Sequence, residues 1–88
     1  MAMITVRQVK AARALLNWSR EDLADTAGIS YRTVARIERI DGLLRGSRET
    51  RDAIFAAFRL AGIEFIPTGV QLAVQQKHRP TLRRKAKS

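Results

Sequence analysis

Arg32 and Arg36 stand four residues apart, with Tyr31, Thr33 and Arg39 around them and Arg20 further upstream. An arginine presents its N–H donors in a planar fork that matches the O6 and N7 edge of guanine, or two oxygens of a phosphate. Spacing of four puts both arginines on one face of a helix. The chemistry on offer is recognition of a polyanion. Bond-making constellations do not stand out: His78 is the only histidine, cysteine is absent, and there is no Gly-rich phosphate loop or paired-carboxylate arrangement. Glu21 and Asp22 fit the positive N-terminal end of a helix better than an acid–base pair. The sequence therefore predicts no enzyme, no cofactor and no metal site.

Arginines can read a surface only if their helix is held rigidly, and the flanking residues show how. Thr5 and Gln8 form a capping box with Ile4 and Val9 as its hydrophobic staple, which starts a first helix running to about Leu16. Ser19 and Asp22 repeat the arrangement, with the shorter Asp in place of Glu or Gln, and Trp18 and Leu23 in the staple positions. That second helix runs to Ala27. Gly28 can take the left-handed conformation that ends it, and Ser30 caps a third helix, from about Tyr31 to Arg39, with Ile29 and Val34 as staple. Only Gly28, Ile29 and Ser30 separate the two helices, so they must meet at a steep angle, which is helix-turn-helix geometry. Ser47 or a neighbour caps a fourth helix reaching Ala61, with Ile54, Ala57, Phe58 and Ala61 on one apolar face, and Gly62 stops it. Leu15, Trp18, Leu23, Ile29, Val34 and Ile37 are expected in the core.

Beyond Gly62 the period changes. Glu64-Phe65-Ile66, then Pro67-Thr68-Gly69, then Val70, Leu72 and Val74 in alternation read as a short hairpin, with Pro67 setting the turn and Gly69 free to take positive φ. A fifth helix from Gln71 to Lys77 is the competing reading. The expected class is mainly α: a compact four-helix unit over residues 1–62, a strand or hairpin over 63–76, and a basic, disordered tail over 77–88.

Charge supports a polyanionic partner, although its distribution matters. The chain of 88 residues holds 17 Lys and Arg against 8 Asp and Glu. Six of the basic residues lie between Lys77 and Ser88, where no acid occurs, so residues 1–76 carry eleven bases against eight acids. The case for nucleic acid thus rests on where the arginines stand. The tail is expected to follow the phosphate backbone or simply to solubilise the chain. No apolar run approaches the length of a membrane span or a signal segment, and a cysteine-free chain suits a reducing cytoplasm. A cytosolic protein without a membrane partner is expected.

The stretch WSREDLADTAGISYRTVARIE, from Trp18 to Glu38, resembles the lambda-repressor-like helix-turn-helix family of Cro and the phage repressors. The likeness covers about Val6 to Ala61 and is most specific at Leu23-Ala24, Ala27-Gly28-Ile29-Ser30, Val34 and Ile37-Glu38. It implies a phosphate or outer-base contact for Arg20 and an exposed start of the recognition helix at Tyr31 and Arg32, with Arg36 one turn further along. It also implies a structural salt bridge between Arg13 and Glu38. A helix inserted N-terminus first turns positions 31, 32, 35 and 36 to the bases. Arg32 and Arg36 then suit direct readout, Ala35 leaves room for close approach, and Tyr31 and Thr33 suit phosphate or a thymine methyl; Arg39 completes the candidate DNA-binding set.

Many family members continue into a fifth, dimerising helix, where this chain has a strand-like segment. Phe65, Ile66, Val70, Leu72 and Val74 are accordingly expected to pair two chains into a homodimer on a partly palindromic double-stranded DNA site. Repression, including self-repression, is the default expectation, with activation through contact with RNA polymerase as a variant. An antitoxin or co-regulator acting through protein contact is the rival reading. The small size resembles regulators carried by mobile elements.

Overall fold

Capping chemistry sets where each helix begins. In the computed structural model, which describes residues 4–72, the order is α1 (Val6–Leu16), α2 (Arg20–Ala27), α3 (Tyr31–Ile37), α4 (Arg48–Leu60), β1 (Ile63–Ile66) and β2 (Gly69–Leu72). Thr5 Oγ1 accepts from the Gln8 amide at 3.1 Å while the Thr5 amide donates to Gln8 Oε1 at 2.9 Å. Ser19 and Asp22 close the same reciprocal box at 3.0 and 2.9 Å, so the shorter Asp suffices. Ser30 and Ser47 accept from the Thr33 and Thr50 amides and cap α3 and α4.

The stops are equally local. Gly28 ends α2 at φ 74°, a conformation that leaves only two residues before α3. Asn17 ends α1 at φ 58°, a position that asparagine tolerates better than most residues. α3 is two residues shorter than the sequence suggests. Its last turn tightens, with the Arg39 amide donating to Arg36 three residues back, and Glu38 is drawn inward as the cap.

Val6, Val9 and Ala12 of α1 meet Leu23 and Ala24 of α2, Val34 and Ile37 of α3, and Ile54, Ala57 and Phe58 of α4 in one core. Leu16 packs against this core, whereas Leu15, expected inside, is 44% exposed. The buried stripe of α1 runs 9, 12, 16, and position 15 falls off it. Trp18 stacks on Phe58 with ring centroids 5.7 Å apart, closing the core beneath the α1–α2 corner.

The hairpin belongs to the same core. β1 and β2 pair antiparallel in the register Ile63↔Leu72, Glu64↔Gln71, Phe65↔Val70 and Ile66↔Gly69. Its inner face sets Phe65 against Phe55 at 5.5 Å and Phe58 at 5.9 Å, with Val70 and Leu72 beside them. Its outer face carries Glu64 and Gln71, which hydrogen-bond at 2.8 Å, and Ile66. The turn is Pro67-Thr68 alone, and neither Thr68 nor Gly69 has positive φ, contrary to the role expected of Gly69. With the turn complete in two residues, Gly69 is the first residue of β2. The strand runs through Gln71 and Leu72, where the competing helix would have begun. Val74, the remainder of that competing helix, and the tail over 77–88 lie outside the described residues.

Candidate nucleic-acid interface

α3 is a short helix with an apolar side and a cationic side. Val34 and Ile37 are buried, Thr33 and Ala35 are half-buried, and Tyr31, Arg32, Arg36 and Arg39 are exposed. The Thr33 hydroxyl lies 2.8 Å from Ser30 Oγ and its amide donates to the same oxygen, so its polar groups are engaged in the cap. Arg32 and Arg36, on successive turns, take part in no ion pair among the described residues. Both remain free for an outside acceptor.

The one acid in this stretch does not oppose them. Glu38 is 1% exposed and accepts three guanidinium hydrogen bonds. Arg13 of α1 grips it through Nε to Oε2 at 2.9 Å and Nη2 to Oε1 at 2.8 Å, and its Nη1 donates to the Trp18 carbonyl at 3.1 Å. Arg20, the first residue of α2, adds Nε to Oε1 at 3.2 Å. A buried carboxylate needs this saturation, since a charge left unpaired in the interior is heavily penalised. One acid thereby ties α1, the α1–α2 corner, α2 and α3 together.

The second arginine on Glu38 is what sequence reasoning missed. Arg13 and Arg20 both lie far from position 38 along the chain, and a single acid suggests a single partner. Arg20 opens α2 next to Glu21 and Asp22, so local sequence offers it nearer acids, and no signal in the spacing singles out Glu38. The Tyr31 hydroxyl stands beside the same guanidinium and, with Glu38, holds the Arg20 pKa above its ordinary, strongly basic value. Arg20 thus opens α2, Tyr31 and Arg32 open α3, and Arg36 lies in the last turn of α3, while Phe65, Ile66, Val70 and Leu72, expected to pair two chains, lie on the hairpin.

No described helix is long and apolar enough to cross a membrane. Residues 9–39 match the model of a family described as Helix-turn-helix. The matched stretch runs from Val9 through α2 and α3 to Arg39, so it includes Glu38 and both of its arginines. No curated protein and no solved structure matches the chain.

Proposed function

The helix-turn-helix of this chain belongs to the lambda-repressor-like family, and from that premise we propose that the protein is a sequence-specific transcriptional regulator. It inserts α3 into the major groove. Arg32 and Arg36 read base edges, Arg20, Tyr31 and Arg39 hold the backbone, and Thr33, whose polar groups serve the cap, offers its methyl group. The observation that carries this reading is the cationic face of α3 and the turn that follows it: Arg32 and Arg36 on the helix and Arg39 just past its cap are exposed, and the single acid, Glu38, is buried and saturated. Nothing on that face repels phosphate.

Two copies, related by a twofold axis, place their recognition helices in successive major grooves about 34 Å apart, and the DNA site is partly palindromic for that reason. Occupancy of the site suffices to repress, including at the protein's own promoter. Contact with RNA polymerase would convert the same occupancy into activation.

The test is selection of genomic DNA fragments on the purified protein, followed by sequencing. The expected result is enrichment of one partly palindromic motif, and its loss in the Arg32→Ala/Arg36→Ala double variant with an unchanged thermal melt. Enrichment of the same motif by a folded double variant would remove these arginines from base readout.

A further inference from the structure

We propose that Glu38 acts beyond the folding of the core, as a positioning residue that pins the Arg20 guanidinium so that its Nη edge is presented to a DNA phosphate beside Tyr31. The inference rests on the DNA-binding reading above and assigns Glu38 a part in that contact.

The two arginines use the same carboxylate differently. Arg13 forms the fork-to-fork pair, and all three of its nitrogens have acceptors: Nε and Nη2 on Glu38, Nη1 on the Trp18 carbonyl. That pair is already electrically neutral. Arg20 reaches Glu38 through Nε alone; the Tyr31 hydroxyl is the other group acting on its guanidinium, and no second carboxylate or carbonyl among the described residues takes up its Nη nitrogens. Its side chain is 38% exposed, against 18% for Arg13. Arg20 is therefore the surplus positive charge of the cluster, and it is accessible.

Pinning through Nε also fixes direction. A guanidinium is planar, so holding Nε against Glu38 turns the opposite Nη edge away from that partner. The Nη edge is the one that grips two phosphate oxygens. A free arginine must lose rotamer freedom on binding, whereas Arg20 has already lost much of it. Tyr31, the first residue of α3 and 49% exposed, adjoins the same guanidinium, so the pinned cation sits where α2 meets the start of the recognition helix.

The experiment measures affinity of the full chain for a labelled random-sequence DNA duplex across a salt series, because a phosphate contact is independent of sequence. Arg20→Ala is expected to flatten the plot of log affinity against log salt by about 0.9 per bound protomer, with about a tenfold loss of affinity at moderate salt. In a Glu38→Gln background, where the pin is loosened, the same Arg20→Ala change should cost clearly less than in wild type. Arg20→Lys, which keeps the charge but lacks the planar fork that holds one side on Glu38 while fixing the direction of the other, should retain the slope and bind several-fold more weakly. That variant decides the matter even if Glu38→Gln fails to fold. An unchanged slope in Arg20→Ala, equal losses in the two backgrounds, or wild-type affinity in Arg20→Lys would each overturn the proposal. Failure of the wild-type chain to bind duplex DNA would instead overturn the reading on which it rests.

Discussion

A carboxylate that is 1% exposed and holds three guanidinium N–H groups is a point where stability can be measured directly. Replacing Arg13 with Ala leaves Glu38 buried with only the 3.2 Å bond from Arg20. Breaking one partner of a buried pair typically costs about 3–5 kcal/mol, and the surviving Arg20 bond argues for the lower end. Chemical denaturation should therefore show a loss of about 3 kcal/mol in Arg13→Ala; a loss below about 1 kcal/mol, as for an exposed pair, would mean that water reaches Glu38. The pH dependence has a definite sign for Arg20. Its pKa is raised in the folded state, so its contribution is complete below the ordinary arginine value and is lost only as pH rises through the folded one. Near neutrality, stability should not vary with pH on account of this residue.

Among the elements, the joint between α1 and the hairpin is the least obvious from local sequence. Gln8 completes the cap of α1 through Oε1, and its Nε2 donates to the carbonyls of Ile66 at 2.7 Å and Gly69 at 3.1 Å. A side chain that reads as a capping residue thus also clamps both ends of the turn. Gln8→Ala removes both functions and should destabilise by about 1–2 kcal/mol. Gln8→Glu is the sharper probe. It keeps the capping acceptor but sets a carboxylate against two carbonyl oxygens, so hydrogen exchange should speed up in residues 63–72 and stay unchanged in α2 and α3. Retained protection of the hairpin in Gln8→Glu would show that the clamp contributes nothing.

The same contrast explains what could be read beforehand. Caps and staples join residues three to five apart, so the start of every helix was legible in Thr5, Ser19, Ser30 and Ser47, and the two-residue corner after Gly28 followed from them. The buried stripe 9, 12, 16 was also legible in principle, and would have chosen Leu16 over Leu15. Contacts such as Gln8 to Ile66, or Arg20 to Glu38, depend on how finished elements pack, and nothing in the local spacing encodes them. For the site, the exposed arginine face of α3 was visible in the sequence, and the second arginine on Glu38 was not.

At the scale of the whole molecule, the hairpin bears on how two copies would meet. Removing residues 63–88 is not an informative test of pairing, because Ile63 is 4% exposed and Phe65 stacks on Phe55 and Phe58, so truncation would take away part of the core. Burying a large apolar side chain contributes about 1.5–3 kcal/mol, a substantial share of the stability of a domain this small. Phe65, Val70 and Leu72 face inward, which leaves the outer face, with exposed Glu64 and Gln71 and half-buried Ile66 as its one large apolar residue, as the part of the described hairpin turned to a second chain. If pairing runs through this surface, Ile66→Lys should shift the protein from dimer to monomer in sedimentation equilibrium while its circular dichroism stays the same. Leu60, 86% exposed in the last turn of α4 and three residues before β1, allows a parallel test with Leu60→Lys. A monomer made in this way should still bind random-sequence DNA through its arginines but lose preference for the palindromic motif, since one recognition helix reads only a half-site. Persistence of the dimer in both lysine variants would place the twofold contact elsewhere on the chain.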